Sequence, residues 1–198
     1  VVCPEGKQGA FVIPDSVNEI GMRAFQECRK LTSVKVPEGV TVLPDAAFFN
    51  CTNLDNIRLP STLVTIGNST FSNCSNLKSI SLPVSLTAIE YSAFNSTGLS
   101  DVCYEGTQEQ WNDIAIDSGN GTLENATKHF GHAYGAPSWT WAQDHSSAEA
   151  TFICTACGDE KTVVDNVIDS LTVDATCSAV GYTDYTAEVE FGGQTFSK

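Results

Sequence analysis

The sequence predicts a parallel β-solenoid of 23-residue turns followed by a small all-β domain. Three observations carry that prediction. First, Pro14, Pro37, Pro60 and Pro83 fall 23 residues apart, and Phe25, Phe48, Phe71 and Phe94 keep the same step. Second, the text between these marks repeats: LTSVKVP, LDNIRLP and LKSISLP recur in register, with Ile20, Leu43, Ile66 and Ile89 forming another column. Third, residues 131–198 carry no 23-residue period, and short alternating segments take its place. A period of roughly 20 to 29 residues with an L-x-x-hydrophobic-x-hydrophobic core reads as a leucine-rich-repeat solenoid with irregular or short helical returns.

The elements follow in order. Residues 1–13 read as a degenerate first strand, because Phe11 and Ile13 stand 23 residues before Val34 and Val36. Strand alternation then sends Val12 the other way. In each later strand the pattern turns Leu31, Val34 and Val36 inward, with Leu54, Ile57 and Leu59, then Leu77, Ile80 and Leu82. Ser33, Lys35, Asn56, Arg58, Ser79, Ser81, Asp101 and Cys103 point outward. Proline closes each of the first three strands because it cannot donate to a ladder. The return segments carry Val17, Ile20, Ala24, Phe25 and their copies. A lone turn cannot bury its apolar face, so stacked turns are expected to build one continuous core and a parallel sheet.

The fourth repeat slips by one residue. NSTGL replaces the CxxL text, and a positive φ at Gly98 is expected to absorb the deletion. The spacing therefore ends the solenoid at residue 105. In GTQEQWNDIAI, Thr107 and Gln110 fit a capping box. Trp111, Ile114 and Ala115 lie on one helical face. Residues 106–130 are accordingly expected to be a helical cap and linker. Residues 131–198 read as a small all-β domain, with Gly192-Gly193 marking a hairpin. An Ig-like sandwich is one arrangement of such strands.

Composition narrows the function. The chain has 10 Lys and Arg against 24 Asp and Glu, net −14. That argues against nucleic acid, which needs clustered cations. Residues 131–198 hold 2 basic and 10 acidic groups, net −8, in a third of the length. No apolar run approaches the ~18 residues of a membrane span. The chain begins within strand-like text and ends on FGGQTFSK, which reads as a piece of a longer protein. The Asn-x-Ser/Thr sites, including Asn50, Asn73 and Asn95, follow from the repeat text.

Eight cysteines divide into groups. Cys28, Cys51 and Cys74 follow the period and read as a buried column of free thiols acting as small hydrophobes. Cys154-Thr-Ala-Cys157-Gly has the spacing of a zinc knuckle or a structural disulfide. A zinc site needs four ligands, so Cys177 and a histidine such as His132, or His129 or His145, would complete it. Cys3 and Cys103 carry no role from the repeat. Trp139 and Trp141 share a strand face and read as core or as a sugar-stacking pair. No nucleophile–histidine pair or phosphate loop is present, and no cofactor is expected.

The text IPDSVNEIGMRAFQECRKLTSVKVP, repeated with IG, AF and C in fixed places, resembles the BspA-like leucine-rich-repeat family of bacterial surface proteins. The resemblance covers roughly residues 4–105. YEGTQEQWNDIAI resembles the stretch that often closes such arrays. Residues 132–198 resemble, more loosely, a β module of similar surface proteins. The resemblance implies a secreted or cell-surface protein acting in adhesion and protein binding, with no shared catalytic residues.

The expected function is therefore non-enzymatic binding of a host or community protein through the concave, outward strand positions. Lys35 and Arg58 form a small cationic spot there. A structural stalk, or a carbohydrate-binding accessory of a hydrolase, are the alternative readings.

Overall fold

The computed structural model describes residues 8–132, 134–155, 158, 160–165, 168–173 and 182–198. The chain divides into two units, Val1–His132 and Ala133–Lys198. No described helix is long and apolar enough to cross a membrane.

The first unit is a stack of turns built from the period, paired in register. Strands β1 (Gly9–Val12), β2 (Leu31–Lys35) and β4 (Asn56–Arg58) pair in parallel. Short strands β3 (Val42–Leu43), β5 (Thr65–Ile66) and β7 (Ala88–Ile89) line the opposite wall, also in parallel. Strands β6 (Ser79–Leu82) and β8 (Asp101–Tyr104) continue the first wall. Phe11 pairs with Val34 in register, and Val12 points outward at 60% exposure. The expected inward residues are buried, apart from half-buried Leu59. Their cluster runs unbroken from Ile13 to Ala126.

Two columns join the turns. Phe25, Phe48, Phe71 and Phe94 stack with centroids 5.0, 5.5 and 5.2 Å apart. Offset ring stacking adds to simple burial. Beside them the returns hydrogen-bond from turn to turn. Phe25 N donates to Ala47 O (2.8 Å), Phe48 N to Thr70 O (2.9 Å) and Phe71 N to Ala93 O (2.8 Å). This geometry needs two left-handed residues per turn. They are Arg23, Ala46, Ser69 and Ser92, and then Glu27, Asn50, Asn73 and Ser96, all with φ between 54° and 64°.

The array does not end at residue 105. After α1 (Gln108–Asn112), β9 (Ala115–Ile116) pairs with β7. After α2 (Gly121–Asn125), β10 (Thr127–Phe130) pairs with β8. Residues 106–130 thus form a further, degenerate turn rather than a helical cap and linker. The open edges of β7 and β8 offer unpaired backbone groups, and this segment satisfies them. The capping box at Thr107 and Gln110 is present. The helix stops at Asn112, so Ala115 is strand and exposed, while Ile114 is buried. Trp111 packs edge-on against Tyr104 at 5.5 Å. Lys128 closes α2, its Nζ donating to Leu123 O (2.7 Å) and Ala126 O (2.8 Å).

Asn120 finishes the backbone ladder. Its Oδ1 accepts from Phe94 N (2.9 Å), where earlier turns supply a carbonyl. Its Nδ2 donates to Glu90 O and Asp117 O, each at 2.9 Å. Gly98 does not take a positive φ. Glycine is needed there for space, since a Cβ would lie 2.2 Å from Ser75 O.

The cysteine column is not uniform. Cys51 and Cys74 are buried free thiols, donating to Phe25 O (3.0 Å) and Phe48 O (3.2 Å). Burial pushes the Cys51 thiol up to about 12 and the Cys74 thiol higher still. Cys28 departs from the expectation because it is disulfide-bonded, to a partner outside the described residues. It sits in the first turn of the column.

The second unit is antiparallel. Strands β11 (Ser138–Trp141), β12 (Ala148–Ile153) and β13 (Glu160–Asp165) form one sheet. Strands β14 (Asp169–Val173) and β15 (Tyr182–Thr186) form a pair, as do β16 (Glu188–Phe191) and β17 (Gln194–Ser197). Gly192 and Gly193 have φ of 59° and 76°, both positive as a tight type I′ hairpin turn requires. Phe152 stacks on Phe191 at 4.1 Å, joining the three-stranded sheet to the last hairpin.

Candidate functional site

The outward strand positions fall into two groups, because hydrogen-bonded pairing is divided between β4 and β6. In the first group Ser33 pairs with Asn56, and Val12, Lys35 and Arg58 align across three strands. Adjacent strands lie about 4.8 Å apart, so the two cations are near neighbours. Lys35, Arg58 and Asn56 are exposed, and Ser33 is half-buried. Together with Ala10, Phe11, Val12 and Val34 they line an open groove of about 320 Å³. The groove itself has no signal in the sequence and arises where Val12 borders the cations.

The second group is internally engaged. Ser79 pairs with Asp101, and Ser81 with Cys103. The next strand adds Thr127 beside Asp101 and His129 beside Cys103. His129 Nε2 lies 2.9 Å from Asp101 Oδ1, and Ser100 Oγ donates to Asp101 Oδ2 at 2.7 Å. The His129 hydrogen bond, then that of Ser100, holds the Asp101 carboxyl below the usual carboxylate range. His132 Nε2 lies 3.3 Å from Ser81 Oγ and 3.7 Å from Glu105 Oε1. Cys103, expected to face out to solvent, is fully buried. The strand alternation places it on the outer side correctly, but β10 and the His132 segment continue past it. The sequence pattern placed 127–130 in the linker and 131–132 in the β domain, which hid this cover.

The other chemical candidates belong to the second unit. Cys154 is a buried free thiol whose backbone bridges Tyr134. Cys157 and Cys177 of the expected zinc set, like Cys3, lie outside the described residues. Trp139 packs against the buried cluster of Ala150, Phe152 and Val189. Trp141 lies instead beside His145, with ring centroids 6.1 Å apart.

The profile of the BspA type leucine rich repeat region matches residues 6–119 in six copies. This span is more than half of the chain. The chain belongs to the BspA-type leucine-rich-repeat family. The six copies include residues 106–119, in keeping with the extra turn seen after Tyr104. A leucine rich cell surface protein from Faecalibacterium prausnitzii is 33% identical, with a TM-score of 0.50 over 56% of this chain and 35% of that one. This BspA-type chain therefore spans about a third of that relative. The leucine rich repeat protein of T. pallidum aligns with a TM-score of 0.54 at 26% identity, over 64% of this chain and 70% of that one. No curated protein sequence matches the chain.

Proposed function

We propose that this BspA-type chain is a non-catalytic cell-surface protein that binds an acidic protein partner along the outer face of its first three strands. One observation carries the reading: Lys35 and Arg58 stand side by side at the groove, on a chain of net charge −14. An acidic segment of a partner is attracted to both side chains at once. The groove adds apolar contact from Val12 and hydrogen-bonding groups from Ser33 and Asn56. Solenoids commonly present such extended concave surfaces to partners. The disulfide at Cys28 fits an oxidising, extracellular setting, and the similar F. prausnitzii protein is described as a cell surface protein.

The test is capture of host or community surface proteins by the immobilised chain, beside a Lys35→Glu/Arg58→Glu variant. Proteins retained by the native chain and lost by the variant support the proposal. An unchanged set of retained proteins refutes it.

A further inference from the structure

We propose a second binding site on the C-terminal unit, an aromatic platform of Trp141, His145 and Tyr185 that takes a neutral sugar ring. The apolar core of this unit lies elsewhere, around Ala150, Phe152 and Val189. Among the described residues, Trp139 packs on that core, whereas Trp141, two residues along the same strand, does not. Trp141 instead faces His145, and the His145 ring lies flat on Tyr185, 4.4 Å between centroids and 9° from parallel. His145 is exposed and Tyr185 is 39% exposed. Three aromatic rings are thus gathered outside that core, Trp141 half-buried and His145 and Tyr185 exposed.

The loop that presents His145 is held in an uncommon conformation. His145 has φ 55°, a left-handed value that costs a residue with a side chain. Local bonds fix it there. Asp144 Oδ1 accepts from Ser146 N (3.1 Å) and Ser146 Oγ (2.7 Å), and Ala142 N donates to Ser147 O (3.0 Å). This turn holds the imidazole over Tyr185.

The surrounding chemistry selects the ligand. Tyr185 pairs with Ser170, and Thr183 with Thr172, whose Oγ1 atoms are 3.0 Å apart. Alternation puts Thr183 on the same face as Tyr185. Hydroxyls therefore border the rings. A pyranose matches that arrangement, with its C–H face on the aromatic surface and its hydroxyls toward serine and threonine. Charge decides the sugar class. Residues 133–198 carry ten Asp and Glu and two Lys, which disfavours uronic or phosphorylated glycans.

The experiment titrates the 198-residue chain with neutral gluco-, manno-, xylo- and chito-hexasaccharides, read by tryptophan fluorescence and calorimetry. Polygalacturonate serves as the anionic comparison. Saturable binding of a neutral hexasaccharide is expected, weakened about tenfold or more by Trp141→Ala and by Tyr185→Ala. His145→Gly relieves the left-handed strain, so it remains folded, and it too weakens binding. Lys35→Glu/Arg58→Glu leaves sugar binding unchanged, which separates this site from the solenoid face. The proposal is overturned if none of the neutral sugars binds. It is equally overturned if polygalacturonate binds more tightly, or if His145→Gly and Tyr185→Ala bind like the native chain.

Discussion

Replacing Phe48 with alanine probes how the turns hold together. Phe48 is fully buried, and its ring stacks on Phe25 at 5.0 Å and Phe71 at 5.5 Å. Truncating a buried phenylalanine costs about 3–5 kcal/mol. Loss of two ring stacks, each worth about 0.5–1.5 kcal/mol, places this case at the upper end, about 5 kcal/mol. Phe11 supplies the internal comparison. It is half-buried in the first strand, with a tilted ring contact to Phe25 at 5.9 Å. Phe11→Ala should cost roughly 1–2 kcal/mol. Urea unfolding followed by circular dichroism measures both. With a slope of about 2 kcal/mol per molar, the Phe48→Ala midpoint should fall by roughly 2.5 M and the Phe11→Ala midpoint by less than about 1 M. Equal losses, or a Phe48→Ala cost under about 1.5 kcal/mol, would refute the stacked column as the main link between turns.

Other outcomes follow from the same geometry. Asn120→Ala leaves the Phe94 N–H without its acceptor inside the fold, and should lower stability by about 2–3 kcal/mol in thermal melts. Ala46→Gly should raise stability by roughly 0.5–1 kcal/mol, since alanine at φ 55° costs more than the extra freedom glycine brings to the unfolded chain. Because the folded Asp101 carboxyl titrates below its unfolded value, its contribution is present above the ordinary carboxylate range and is lost as pH falls through the lower folded value. Melting temperatures measured from pH 2 to 5 should therefore fall less steeply for Asp101→Asn than for the native chain.

Much of the first unit was legible because its determinants repeat. Phe25 and its copies, and the Leu31, Val34 and Val36 pattern, each recur at a fixed step, so several columns testify to one core. The last turn was not legible because it is held by singular residues. Asn120 replaces a backbone carbonyl with a side chain, and β10 pairs with β8 without repeating its text. The slip at Asn95–Leu99 looked like an ending for the same reason, yet Gly98 merely makes room for Ser75 O. Cys28 shares its column with Cys51 and Cys74 but not their chemistry, since its place at the first turn matters more than its period. At the outer face, Lys35 and Arg58 follow from strand alternation alone. The engagement of Asp101 with His129 needed a strand that the spacing had assigned to a linker.

Partner binding is proposed to run through the paired cations of the outer strand face. The most direct measurement is the affinity of a captured partner for the native chain and for Lys35→Glu/Arg58→Glu, at low and high salt. Native affinity is expected to fall as salt rises, and the variant to bind about tenfold or more weakly at low salt. Equal affinities for the two chains, independent of salt, would contradict it.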